Sequence, residues 1–224
     1  LIFRALAEID APITHYKMCS TLDSSPEIGS IGKAVDIAQT LFSSPWIPFV
    51  VAAPDTARYQ AFGNLFATAG ERTFRLDRHP TMTRHPVTPM HEADVLAHLK
   101  LQTKTASALI DVLMLKNGQA EAALDDARDA GARLVAIDII DDETLVKAGR
   151  LIWETRGDGL FCVGSQGLEY TLTAHWRAIG HLSENTGRVS VGAVDKMAVV
   201  AGSCSPVTAD QIARASAVGF KPIR

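Results

Sequence analysis

The feature that most constrains this chain is a regular alternation. Short apolar runs rich in β-branched and aromatic residues are separated by longer segments with apolar residues at helical spacing. Residues 47–53, IPFVVAA, are apolar throughout, as in a strand buried on both faces. Residues 13–20, 107–115, 133–140, 159–164 and 196–202 read as further strands. Residues 28–42, 92–103, 118–131, 141–155, 165–176 and 205–219 read as helices. In the first helix Ile31, Val35, Ala38 and Leu41 share one face. In the third, Ala120, Ala123, Leu124 and Ala127 do so, and Gly131 is the stop signal. Asp141 or Asp142 is placed to cap the fourth. Strands joined by helices of this length can pair side by side only through crossovers. The pattern therefore predicts an α/β fold: a mostly parallel sheet with helices on both faces.

Residues 54–91 break the pattern. They hold Pro54, Pro80, Pro86 and Pro89, several turn signals, and weak strands near 59–66 and 72–76. They read as an insertion of loops and short strands rather than sheet core. Residues 180–195, GHLSENTGRVSVGAVD, form the one stretch with linker composition. The first residues, LIFRALAEID, start as if inside a helix and lack the layout of a signal peptide.

Charge and composition exclude several classes. At 224 residues with 47% hydrophobic and 21% charged residues, the chain can bury a substantial core. A net charge of −3 without a dense basic patch argues against nucleic acid, and no apolar run is long enough to span a membrane. Cys19, Cys162 and Cys204 are too few and too scattered for a disulfide scaffold or a zinc site. They read as reduced, buried thiols of a cytoplasmic protein.

In open parallel sheets, ligands bind beyond the carboxyl ends of the strands, where helix amino termini point their amides outward. The segments in those places are CSTLDSS (19–25), PDTARYQAFGN (54–64), SQGL (165–168) and SCSP (203–206). Serine and glycine there suit a small hydroxylated anion, since they combine short donors with close backbone approach. Each has a plainer reading. CSTLDSS can be a turn that caps a helix, although five short polar residues exceed what one cap uses. Ser203 or Ser205 followed by Pro206 is an ordinary helix start. Lys17, ending an apolar strand, either snorkels at an edge or faces an anion. Arg75, Arg78 and Arg84 lie on a proline-stiffened loop with His79, His85 and His91. The sixfold histidine spacing suits no helical metal pair, so the loop fits carboxylate or phosphate recognition, or simple solvation. Arg58, Gln60 and Asn64 offer polar groups in a similar way. GSIGKA (29–34) fails as a P-loop, because its glycines are too close and Ala34 stands where Ser or Thr is needed. No dinucleotide fingerprint occurs.

Five strings in order, KMCSTLDSSPEIGSIG, GNLFATAG, HPVTPM, GSQGL and GSCSPVTADQI, resemble the four-carbon acid sugar kinases from about Tyr16 to Gly219. The resemblance implies a two-domain, ATP-dependent enzyme. It would phosphorylate the terminal hydroxyl of threonate, erythronate or an oxo-tetronate, with Mg²⁺ arriving on ATP. It implies that Lys17, Ser20, Asp23 and Ser24 face the sugar acid, with His85, Thr88, Met90, Ser165 and Gly167 near the same cleft. By the same likeness Ser203 and Ser205 would touch ATP. The residues themselves add Arg58 to the substrate-binding set, with Lys17 and an arginine suited to the carboxylate. Two departures qualify the resemblance. The family opens with a strand and an Asp-Asp-x-Thr-Gly motif, and it carries a Gly-rich nucleotide-binding half after the GSCS helix; this chain shows neither. The 224 residues are therefore expected to be the substrate-binding part, inactive alone. The catalytic base is left unassigned. Asp23 could fill that role if it reached the attacking hydroxyl, but the missing acidic motif is the stronger candidate. The alternatives are a small-acid-binding module without catalysis, or the product of a truncated gene. A dehydrogenase or isomerase on a similar sheet is a weaker third. A homodimer stays open as the assembly state.

Overall fold

The computed structural model describes residues 1–183, 192–203 and 205–223. The chain divides into two compact units, Leu1–Glu184 and Asn185–Arg224.

The first unit is built on a five-stranded parallel sheet. Its strands are β1 (Ile13–Lys17), β2 (Ile47–Val50), β6 (Ser107–Ile110), β7 (Leu134–Ile137) and β8 (Leu160–Gly164), in the order β1-β8-β2-β7-β6. The three inner strands are buried at every position, which is why their sequences read as continuous apolar runs. Alternate residues feed two cores. Phe49, Val51, Ala136, Phe161 and Val163 pack on one face with α2 (Ile31–Gln39) and α3 (Val95–Lys100). Val50, Ala52, Val135, Ile137 and Cys162 pack on the other with α5 (Ala120–Asp129), α6 (Asp142–Glu154) and α7 (Gln166–Ala178). A short α1 (Ile2–Ala7) sets Phe3 edge-on against Tyr16, Phe42 and Phe161.

Local rules explain the helix starts. Asp141 caps α6 in a reciprocal capping box with Thr144, and Ser30 caps α2. Glycine permits close packing at three places. A Cβ on Gly149 would lie 2.1 Å from Thr171 O, one on Gly32 2.6 Å from the Gln102 backbone, and one on Gly167 1.8 Å from Ala52 O.

Two expectations need correction. The predicted strand 107–115 ends at Ile110. There Asp111 takes over as N-cap, accepting from the Leu113 and Met114 amides, and α4 (Val112–Lys116) follows. An apolar run of that length does not distinguish strand from helix, and the cap decides. Second, Cys19 is exposed, whereas Cys162 is buried as expected; Cys204 lies outside the described residues. The insertion holds short strands outside the main sheet, as expected: β3 (Arg58–Ala61), β4 (Asn64–Ala69) and β5 (Arg72–Arg75) form an antiparallel sheet.

In the second unit the described residues include α8 (Pro206–Ala217), capped by Ser205 with Pro206 in its first turn. Residues 196–202 form no strand. Val199 and Val200 are exposed, and no described segment supplies the ladder partner that a strand requires.

Candidate functional site

A parallel sheet sends all its carboxyl ends to one side, and three neighbouring strands, β1, β8 and β2, bring three of the predicted turns together there. Lys17 pairs with Gly164 across β1 and β8, and Val50 pairs with the same Gly164 from β2. The turn after β1, the start of α7 and the exit of β2 are thus at one level. Gln166 Nε2 donates to Thr56 Oγ1 at 3.1 Å, tying the start of α7 to the turn after β2. Lys17 is exposed and, among the described residues, has no hydrogen-bonded or ion-paired partner. The edge position of β1 accounts for the exposure, and the register places the ammonium's stem beside Gly164.

The dense hydroxyls after β1 are mostly used inside the protein. Ser24 is buried. Its Oγ donates to Leu22 O at 2.9 Å, lies 2.9 Å from His98 Nε2, and accepts from Gln102 Nε2 at 2.9 Å. It fastens the loop to α3. Ser25 accepts from the Glu27 and Ile28 amides and closes a turn. Thr21 donates to Asp23 at 3.0 Å. Leu22 sits at φ 56°, and the Ser24 hydroxyl on its carbonyl holds that left-handed residue. Among the described residues, what the loop leaves for a ligand is Ser20 and the second oxygen of Asp23.

Ser165 and Gly167 are likewise committed to packing. Ser165 is fully buried; its Oγ donates to Val51 O at 2.6 Å and accepts from the Gly167 amide at 3.0 Å. Gly167 lets α7 lie against the exit of β2. Met90 is buried in the core with Met82, Leu76 and Leu65. The Thr88 amide donates to His85 Nδ1 at 3.0 Å, a contact internal to the loop. In the second unit, Ser205 Oγ accepts from Val207 N, and Ser203 Oγ accepts from Ser205 N.

Arg58 stands apart. Its Nη1 donates to Thr56 O at 3.0 Å and to Ala57 O at 3.1 Å, while its Nε is buried with no partner. Asp138 belongs to none of the candidate turns or motifs, and it is the most heavily bonded acid described. It is fully buried at the carboxyl end of β7 and accepts from Gln60 Nε2 and from the Phe62, Gly63 and Val112 amides. Burial pushes its carboxyl above the usual range, against the pull of those donors. The signal was present: an acid inside the apolar run VAIDII is as anomalous as Lys17 in its strand.

Two open clefts lie elsewhere. One of about 600 Å³ is lined by Asp36 and residues 100–105, the segment that enters β6 at the amino side of the sheet. One of about 360 Å³ lies between α6 and α7 near Asp55. The chemistry of the turns, not cavity size, marks the site. Among the described residues no cluster of His, Cys, Asp or Glu could hold a metal ion.

Comparison with known proteins decides the family. The family model described as a sugar-binding N-terminal domain matches residues 1–172. This chain belongs to the four-carbon acid sugar kinase family. A 3-oxo-isoapionate kinase from Paraburkholderia graminis is 50% identical over 98% of this chain, and a 3-oxo-tetronate kinase from Methylobacterium radiotolerans is 31% identical over 91%. These alignments cover 47% and 46% of those proteins, so the chain spans about half the length of the curated relatives it matches. The fold of this family member also matches a solved Haemophilus influenzae protein with a TM-score of 0.70 and 22% identity, over 95% of this chain and 48% of that one. A Bordetella bronchiseptica domain of unknown function, solved with bound citrate as a domain-swapped dimer, matches with a TM-score of 0.56 and 25% identity. That match covers 78% of this chain and 39% of the other. Among the described residues no helix is long and apolar enough to cross a membrane.

Proposed function

We propose that this chain is the sugar-acid-binding part of an ATP-dependent kinase that phosphorylates a small 3-oxo or hydroxy sugar acid on its terminal hydroxyl. The observation that carries the reading is the juxtaposition of Lys17, without a side-chain partner among the described residues, with the starts of α7 and of the insertion, at the carboxyl ends of three adjacent strands. Arg58 lies just beyond the same β2 exit, with a buried, unused Nε. Two cations meet one carboxylate, Arg58 in the two-toothed manner that its planar group allows. Ser20 and Asp23 take the hydroxyls. The names of the two relatives share a 3-oxo sugar acid, and the Bordetella protein holds citrate, another small polyoxygenated acid.

In phosphoryl transfer the substrate hydroxyl attacks the γ-phosphorus and ADP leaves. The protein's share is positioning and charge stabilisation. Within these residues the share is positioning: the acid's carboxylate is clamped so that its far hydroxyl points outward. ATP, with its Mg²⁺, is assigned mainly to the part of the relatives' length that this chain does not span, with Ser203 and Ser205 touching it. Asp23 is the acid here that could take the hydroxyl proton.

Calorimetric titration with threonate, erythronate and a 3-oxo-tetronate, with and without ATP, tests this. Binding of acid without ATP turnover is expected. Indifference to every four-carbon acid would remove the sugar-acid reading, and turnover by this chain alone would overturn the division of labour.

A further inference from the structure

Asp138 and Gln60 are both fully buried. One Asp138 oxygen accepts from Gln60 Nε2 at 3.1 Å and from the Gly63 amide at 3.0 Å; the other accepts from the Phe62 amide and, at 3.2 Å, from the Val112 amide. The Gln60 and Ile139 backbones exchange hydrogen bonds of 2.9 and 3.1 Å. Strand β3 is therefore pinned edge-on where β7 ends. Phe62 and Gly63 form the two-residue turn between β3 and β4, at φ 49° and 74°, the left-handed conformation such a turn needs. Glycine adopts it freely and phenylalanine does not. The carboxylate grips both turn amides and holds the turn in place.

A two-residue hairpin closes without a buried acid, so the acid's consequence lies in what the hairpin carries. Side chains two apart on a strand share a face, which puts Arg58 on the same side of β3 as Gln60. Gln60 reaches Asp138 and the Ile137 carbonyl at the carboxyl end of β7. On that face Arg58 is anchored through one nitrogen, with its buried Nε unused. A buried donor without an acceptor is costly unless something outside the chain supplies one.

The geometry points to Asp138 as a positioning residue: through Gln60 it fixes the register of β3, and so the place of the Arg58 guanidinium, so that affinity for the acid depends on a carboxylate that touches no ligand. This rests on the reading of Arg58 as a ligand for the acid's carboxylate.

The test is calorimetric titration of this chain with threonate as the probe, for wild type, Arg58→Ala, Asp138→Asn and the double variant. Asp138→Asn turns an amide NH₂ toward two of the four donors and releases the turn. The expected result is a dissociation constant raised about tenfold or more, the scale of an ångström-sized misplacement, at unchanged stoichiometry. In the Arg58→Ala background the same change is expected to add almost nothing, because its effect runs through the guanidinium. A merely structural role would lower the stoichiometry, as molecules unfold, and leave the dissociation constant alone. That result, or full additivity in the double variant, overturns the inference while the Arg58 reading stands. If wild type binds none of threonate, erythronate and a 3-oxo-tetronate, or Arg58→Ala binds the acid as wild type does, the reading of the site fails and the inference falls with it. Should Asp138→Asn not fold, Gln60→Leu cuts the same link while leaving Asp138 its backbone donors, and is judged by the same two quantities.

Discussion

Gly167 allows two opposite predictions, and the structure chooses between them. It lies in the first turn of α7, at a backbone conformation that any residue can adopt. By helix propensity alone, Gly167→Ala should stabilise the protein by up to about 1 kcal/mol, partly through the unfolded chain. The packing says otherwise. A Cβ there would fall 1.8 Å from Ala52 O and 2.8 Å from Ala52 C, both backbone atoms of the fully buried segment leaving β2. Ordinary contact starts near 3.4 Å, so α7 would have to move off the sheet by about 1.6 Å. That movement would stretch the Ser165 bond to Val51 O and the tight seat of Gly149 against Thr171. Such overpacking costs about 3 kcal/mol or more. After the propensity gain, a net loss of about 2 kcal/mol is expected. In a unit of this size that lowers the melting temperature by roughly 4–8 °C. Urea unfolding followed by far-ultraviolet circular dichroism, without ligand, measures it as a fall in midpoint at constant slope. A neutral or stabilised Gly167→Ala would refute the close-approach argument and return the glycine to ligand binding as the reason for its place.

Further predictions concern charge and caps. Asp138→Asn also sets a donor against two buried donors, and a stability loss of about 2 kcal/mol or more is expected from chemical denaturation. Asp141→Ala removes the side-chain half of the α6 capping box, the bond accepted from the Thr144 amide, and should cost about 1 kcal/mol by the same measurement. His15, His79, His98 and His175 have pKa values lowered chiefly by burial. A lowered folded-state value means that the unfolded chain binds the extra proton first. The stability they confer is complete above their ordinary value of about 6.5 and is lost as pH falls through the folded values. Asp138, raised by burial, works in the opposite direction, its share being lost as pH rises through its folded value. With four groups against one, urea midpoints should fall between about pH 7.5 and about pH 5; a flat or rising profile would contradict the burial of the histidines.

Much of this could be read from residues alone. Continuous apolar runs marked the inner strands, and Asp141 or Asp142 and Ser203 or Ser205 marked helix starts, because period and capping depend on residues within about four positions. The placement of the turns after β1, β2 and β8 on one side followed from parallel topology itself. The use made of each polar group could not be read in this way. Ser24 meets His98 at a separation of 74 residues, and Ser44 meets the Phe161 amide at 117. Asp138 gathers donors from two distant segments, residues 60–63 and Val112. Hydroxyls that looked free for a ligand were already committed to such partners.

The sequence by itself determined the α/β class, the crossover pattern and most helix starts, since these are set by local periodicity and by the need to bury apolar faces. Only the tertiary structure decided the strand order, the antiparallel sheet of the insertion, the end of β6 at Asp111, and which polar side chains turn inward. The physical reason is that a hydrogen bond between distant segments depends on where the whole backbone brings its two ends, and no local pattern encodes that meeting.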